Sequence, residues 1–210
     1  MKPHIIPAIL TSDLSDLKQT LAGLRGLTDW VSIDIADGIF VDSTTLTVND
    51  LEAVDIPYKL ELHLMVNNPE SYFLHCSRVG AKRVFFHIEV LADVASAIAE
   101  AKSYKFEAGL ALCPDTDLKL LAPFVDDIHS VLLMGVNPGT QGQDFIPATL
   151  DRIKQLKTNY PQIKVSVDGG LNPMTISQAA AAGADTLVVG SAIVKQSDFK
   201  QAFEYLKTKI

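Results

Sequence analysis

The sequence predicts an α/β fold: a single-domain (β/α)8 TIM barrel spanning residues 1–210. Three observations predict it. Short apolar runs alternate with longer amphipathic stretches from end to end, the order that builds parallel sheet. Many runs are apolar throughout, such as Val131-Leu132-Leu133-Met134-Gly135 and Thr186-Leu187-Val188-Val189-Gly190, which suits strands covered on both faces. Eight strand–helix pairs fit the chain at about 26 residues each, and eight repeats argue for closure into a barrel. An open doubly wound sheet is the alternative that the same alternation allows.

Ile5–Leu10 is a short apolar run interrupted by Pro7 and reads as a first strand rather than a leader segment. The helix-like stretch Asp13–Leu24 follows it, and then the strand Trp30–Ile35. Thr47–Ala53 is the least helix-like of the helical stretches, because Thr and Val are poor helix formers and a long loop precedes it. Strand Lys59–Met65 leads to Pro69–Val79, whose proline fits a first helical turn. Arg83–Ile88 with Leu91–Ser103 and Glu107–Leu112 with Leu118–Phe124 make the fourth and fifth pairs. Ser130–Gly135 precedes Pro147–Asn159, again with proline in the first turn. Lys164–Asp168 precedes Pro173–Ala182, where Asn172 supplies a capping side chain and Gly183 a C-terminal glycine. Thr186–Gly190 and Asp198–Lys207 complete the series, and no linker or composition shift divides it.

Composition agrees with an ordinary globular chain: 48% apolar and 20% charged, with Gly 12 and Pro 10. Eighteen basic against twenty-five acidic side chains give a net charge of −7. That balance argues against binding to nucleic acid or to an anionic membrane. No stretch approaches the ~20 apolar residues of a membrane span, so a soluble, cytoplasmic protein is expected. Cys76 and Cys113 match no CxxC spacing and read as two buried thiols of an intracellular protein.

A barrel of this type places its active site at the C-terminal ends of the strands. Strand 2 ends Ser32-Ile33-Asp34-Ile35-Ala36-Asp37-Gly38, and alternation puts Ser32 and Asp34 on one face. Strand 3, Leu60-Glu61-Leu62-His63-Leu64-Met65, delivers an imidazole at a similar height. Strand 7 ends Val167-Asp168-Gly169-Gly170 with a second carboxylate. Strands 2 and 7 are not adjacent, so the two carboxylates would approach a ligand from opposite sides. That arrangement suits two-base proton transfer. Taken singly, each aspartate also reads as a helix cap or turn residue, and His63 as a hydrogen-bonded core histidine.

The same end is rich in glycine, at Gly139 and Gly142 after strand 6, Gly169 and Gly170 after strand 7, and Gly190 before Ser191 after strand 8. Glycine lets backbone amides approach phosphate oxygens closely, and loops 7 and 8 of this fold often hold phosphate. Elsewhere, Trp30 and Phe40 read as packing residues, and His4, His75 and His129 as surface or boundary residues. The lysines near 102–105 and 154–157 read as solvated charge. His87 and Glu89 fit a structural role or a substrate contact equally.

Taken in order, Pro7-Ala8-Ile9-Leu10, Ile33-Asp34-Ile35-Ala36-Asp37-Gly38-Ile39-Phe40-Val41, His63-Leu64-Met65-Val66 with Asn68-Pro69-Glu70, and His87-Ile88-Glu89 form a series of motifs. Met134-Gly135-Val136-Asn137-Pro138-Gly139, Gly142-Gln143, Phe145-Ile146-Pro147, Val167-Asp168-Gly169-Gly170 and Gly190-Ser191-Ala192 continue it. Over nearly the whole chain this resembles the ribulose-phosphate 3-epimerase family, a ribulose-phosphate-binding type of barrel. The resemblance implies epimerisation of a ketose phosphate at carbon 3 through an enediolate, typically between ribulose 5-phosphate and xylulose 5-phosphate. It implies that Asp34 and Asp168 are the acid/base carboxylates. His63, Met65, Met134, Gly139, Gly142, Gly169, Gly170, Gly190 and Ser191 fall at substrate positions. A divalent metal, often zinc, would be held by Asp34, His63 and Asp168. No organic cofactor is implied, and a homo-oligomer is.

The chain departs from the family pattern around strands 1 and 2. Ser32 stands where the family has its first metal-binding histidine, Ala8 where it has a serine, and Ala36 where it has a pocket methionine. Asp42-Ser43-Thr44-Thr45 and Thr140-Gln141 replace the usual loop residues. A serine hydroxyl is a poor zinc ligand beside imidazole. Two other readings therefore stand next to the epimerase: a sugar-phosphate-binding paralogue with little catalysis, and an epimerase for another ketose phosphate such as a hexulose phosphate.

Overall fold

Eight parallel strands close into a barrel in chain order, and the doubly wound alternative is excluded. The computed structural model describes residues 2–210. The strands are β1 (His4–Ile9), β2 (Trp30–Ala36), β3 (Lys59–Met65), β4 (Arg83–His87), β5 (Glu107–Leu112), β6 (Ser130–Met134), β7 (Lys164–Asp168) and β8 (Thr186–Val189). β1 pairs with both β2 and β8, which closes the ring. The strands agree with the apolar runs of the sequence to within a residue or so.

The helices are α1 (Leu14–Gly23), α2 (Val48–Leu51), α3 (Phe73–Arg78), α4 (Val94–Ser103), α5 (Ala148–Asn159), α6 (Thr175–Ala182), α7 (Ser191–Val194) and α8 (Phe199–Lys207). Side-chain caps start several of them. Asp13 accepts from the backbone of Ser15 and Asp16, Asp93 from Ser96, and Asp198 from Gln201. Asn172 Oδ1 accepts from Met174 and Thr175 N–H, the cap anticipated before Pro173. Gly183 ends α6 in the left-handed conformation, at φ 108°.

Three helical expectations change. Pro69–Val79 begins as a 3-10 turn, Pro69–Tyr72, before α3. Thr47–Ala53 shrinks to the single turn α2, which Thr47 and Asp50 secure with a capping box. Leu118–Phe124 is only a 3-10 turn, Leu118–Leu121, because Pro123 lacks the N–H that would extend it. α7, directly after Gly190, has no counterpart in the expected series.

Apolar strand residues alternate between two destinations. Leu62, Leu64, Val84, Phe86, Leu110, Val131, Leu133, Val165 and Val167 pack outward against the helices in the main core. Ala8, Phe85, Ala111, Leu132, Met134, Val136 and Val188 form a second cluster inside the barrel. Phe85 occupies the interior because its partner on β5 is Gly109, where a Cβ would lie 2.4 Å from the Phe85 ring. Toward the N-terminal end of the strands, Glu61 is fully buried and paired with Arg83 at 3.0 Å. The Arg83 guanidinium also bonds Glu107 at 2.9 Å and lies 4.8 Å over the Trp30 ring.

Candidate active site

Asp34 and His63 are direct neighbours across β2 and β3, and Asp168 pairs with Met134 across β7 and β6. His63 Nδ1 lies 3.1 Å from Asp34 Oδ1 and 3.6 Å from Asp168 Oδ2. The two carboxylates thus converge on one imidazole nitrogen although their strands are three steps apart around the ring. His63 is 1% exposed and forms the floor beneath them, while Asp168 is the more open of the two aspartates.

Above this floor is a narrow cavity that opens to solvent at the strand ends. Asp34, Met65, Met134, Gly139, Gly142, Asp168, Gly169, Gly170, Gly190 and Ser191 line it, each expected there from the sequence. His63 alone of the expected substrate positions does not reach its wall. Gly170 is required by its surroundings: its φ is +68°, and a Cβ would lie 2.6 Å from the Phe145 backbone. The cavity is also lined by Ala8, Leu10, Val136, Pro138, Thr140, Gln141, Gln143, Leu171 and Val188. The Gln141 amide sits over Gly190, and Gln143 ties down its own loop by donating to the Asn137 and Thr140 carbonyls at 2.7 and 2.9 Å. Ser43 Oγ donates to Gly139 O at 2.6 Å, so the altered loop after β2 braces the glycine loop after β6.

Burial raises the Asp34 pKa above the usual carboxylate value. The hydrogen bond from His63 opposes this rise and the nearby Asp168 charge adds to it. Burial alone would lower the His63 pKa, but the adjacent carboxylates of Asp168 and Asp34 outweigh it and lift the imidazole to about 9. Asp37 is different in kind. It sits at the rim, accepts from the backbone N–H groups of Ile39, Phe40 and Asn67, and shapes the loop.

Sequence reasoning left His87 and Glu89 open, and the structure joins them to the site. His87 Nε2 is 3.0 Å from His63 Nε2, and His87 Nδ1 is 3.1 Å from Glu89 Oε2. Burial holds His87 down to about 4, and it is neutral. Burial favours the protonated form of Glu89, yet its bonds from His87, Thr116 and the Cys113 backbone bring it down to about 2. Phe40 covers the His87 ring at a 4.6 Å centroid distance, which is the packing role expected of it. Cys113, expected to be buried, is only partly so, and burial with the Glu89 charge raises its thiol to about 12.

One ligand atom from each of Asp34, His63 and Asp168 lies within 4.8 Å of the others, so this trio can hold a metal ion. Two carboxylate oxygens and one imidazole nitrogen suit a zinc-like divalent cation that keeps open positions. Ser32, two residues before Asp34, is fully buried and its hydroxyl has no hydrogen-bond partner.

The fold and site together define a (β/α)8 barrel with paired carboxylates at the strand ends and glycine-loop walls. The ribulose-phosphate 3 epimerase family model matches residues 4–194, and the chain belongs to that family. The cytoplasmic isoform of ribulose-phosphate 3-epimerase from Oryza sativa subsp. japonica is 33% identical, covering 98% of this chain and 93% of that protein. The ribulose-phosphate 3-epimerase of Bacillus subtilis is 34% identical, covering 97% of each. Among solved structures, KGPDC from Streptococcus mutans superposes with a TM-score of 0.76 at 15% identity, over 100% of this chain and 97% of that one. That likeness shows the fold alone. No described helix is long and apolar enough to cross a membrane.

Proposed function

We propose that the chain epimerises ribulose 5-phosphate at carbon 3, with Asp34 and Asp168 as the two proton-transfer groups. The observation that carries this reading is the convergence of the two carboxylates on His63 at the floor of a glycine-walled cavity. The substrate ketone acidifies the neighbouring C3–H. One carboxylate takes that proton, the electron pair moves into a cis-enediolate, and the other carboxylic acid returns a proton to the opposite face. Burial raises the Asp34 pKa above the usual carboxylate value, so this carboxyl takes up a proton more readily than a solvent-exposed one.

Gly139, Gly142, Gly169, Gly170, Gly190 and Ser191 serve the substrate and its phosphate through backbone groups, and Met65 and Met134 pack against the sugar. Phosphate capture then rests on loop amides rather than on basic side chains, in keeping with a chain of net charge −7. Asp34, His63 and Asp168 are the residues that would hold a divalent metal, zinc or similar. When bound it would supply Lewis-acid stabilisation of the enediolate. The family also supports a homo-oligomer, which light scattering of the purified chain would check.

The test is solvent exchange. In deuterium oxide, wild-type protein should place deuterium at C3 of ribulose 5-phosphate and form xylulose 5-phosphate. Asp34→Asn and Asp168→Asn should each lower that rate by about 10²–10⁴-fold. Wild-type protein that leaves the C3 hydrogen of ribulose 5-phosphate in place would overturn the reading, and exchange in a hexulose phosphate instead would favour the epimerase for another ketose phosphate.

A further inference from the structure

His87, Glu89 and Cys113 form a second cluster of metal-ligating atoms, on the far side of His63 from the two aspartates. Glu89 Oε1 accepts from the Cys113 backbone N–H at 2.7 Å and from the Thr116 hydroxyl. These bonds pin one carboxylate oxygen and leave Oε2 turned to His87 Nδ1 at 3.1 Å. Cys113 Sγ lies 3.7 Å from the same nitrogen. Arg152 steadies the loop by donating to the Thr116 and Cys113 carbonyls at 2.7 and 3.2 Å. One ligand atom from each of the three residues lies within 4.8 Å of the others. Ordinary zinc bond lengths at a tetrahedral centre separate neighbouring N and O donors by roughly 3.3 Å and N and S donors by roughly 3.6 Å. The observed spacings are close to both.

We propose that His87 Nδ1, Glu89 Oε2 and Cys113 Sγ form a second metal site, for zinc or another thiophilic divalent cation. A sulfur ligand selects such ions over magnesium or calcium. The site's outer contacts are already in place, since Glu89 Oε1 and His87 Nε2 each have a partner, and such contacts orient metal ligands.

The His63–His87 bond makes this site alternate with the one at Asp34, His63 and Asp168. The 3.0 Å Nε2–Nε2 contact has room for one proton. A metal bound at either Nδ1 displaces one proton from the pair to solvent and leaves both imidazoles neutral, with one proton between them. A metal on His63 Nδ1 requires the proton on His63 Nε2, which donates to His87. His87 then carries its own proton on Nδ1 and gives it to Glu89, which closes the second site. A metal on His87 Nδ1 requires the opposite tautomers, with protons on His87 Nε2 and His63 Nδ1. As the sulfur–metal bond forms, the Cys113 thiol releases its proton to solvent. The alternation rests on the reading of the first site as a metal site; the sulfur ligand does not.

Cobalt(II) is the probe, added to the chelator-treated full-length protein. Cobalt on Cys113 gives a sulfur-to-cobalt charge-transfer band in the near ultraviolet, and elemental analysis after gel filtration counts bound ions. The band should appear in Asp168→Asn and in Asp34→Asn, which weaken the first site, and should be weaker in wild type. It should vanish in Cys113→Ser. At saturation the wild-type chain should hold one cobalt. A band missing from wild type and from both aspartate variants, or unchanged in Cys113→Ser, overturns the second site. Two cobalt ions per chain with the band at full height overturns the alternation.

Discussion

His63 and His87 face each other nitrogen to nitrogen, Nε2 to Nε2 at 3.0 Å, with both rings buried. The carboxylates of Asp34 and Asp168 lie on one side of this pair and that of Glu89 on the other, and the two imidazoles shift in opposite directions. His63 is raised from 6.5 to about 9, so its contribution to stability is complete below pH 6.5 and is lost as pH rises through about 9. His87 is lowered from 6.5 to about 4. Keeping it neutral costs stability as pH falls below 6.5, and the cost grows until about pH 4. The urea midpoint of metal-free protein should therefore decline on both sides of neutrality. His63→Gln should flatten the alkaline limb and His87→Gln the acid limb. An alkaline limb that persists in His63→Gln would show that the imidazole between the aspartates is not its source.

Much of this arrangement was legible in the sequence, for physical reasons. Strands buried on both faces are apolar throughout, so the barrel could be read from runs such as that of β6. The two-residue period placed Asp34 and His63 on one inward face, and the register pairs them directly. The closeness of Asp34 and Asp168 was not legible, because alternation gives a side chain's face but not its reach across the barrel. His87 remained ambiguous because a His-x-Glu spacing does not reveal that the ring meets His63 on the neighbouring strand. The four-residue helix α7 and the turn at Leu118–Leu121 are too short to carry any period.

Phe85 and Gly109 give a test of how the barrel interior is filled. A Cβ at position 109 would lie 2.4 Å from the Phe85 ring and 3.0 Å from the Ser130 carbonyl oxygen. The ring is fully buried and cannot swing into solvent. Gly109→Ala should cost about 1–3 kcal/mol through overpacking, measured as a lower urea midpoint with unchanged slope. Equal stability would mean that the interior has slack beside β5.

Gly190 tests the phosphate end of the cavity. The nearest atom to an added Cβ is the Gln141 Nε2 at 3.0 Å, the far end of a flexible side chain. Gly190→Ala should therefore keep the cooperative unfolding of the wild-type chain. A methyl group on the cavity wall would hold phosphate oxygens away from the backbone, so KM for a ketose phosphate should rise while kcat changes little. Unchanged KM would place the phosphate elsewhere in the cavity.

Ser32 tests the departure from the family's ligand pattern. Its hydroxyl is buried without a hydrogen-bond partner, on the inward face two residues before Asp34. Its register neighbours are Ala8 on β1 and Glu61 on β3, and Ala8 presents only a methyl group. Ser32→His would add an imidazole to the donor set of Asp34, His63 and Asp168. The larger side chain should cost about 1–3 kcal/mol in packing. Zinc affinity, measured by competition with a chromophoric chelator, should tighten by on the order of tenfold or more, the scale on which even outer contacts of a metal site act. Epimerase activity in the presence of zinc should rise with it. A folded Ser32→His protein with the wild-type zinc affinity would place residue 32 outside the reach of the metal, and the missing histidine would then not limit this chain.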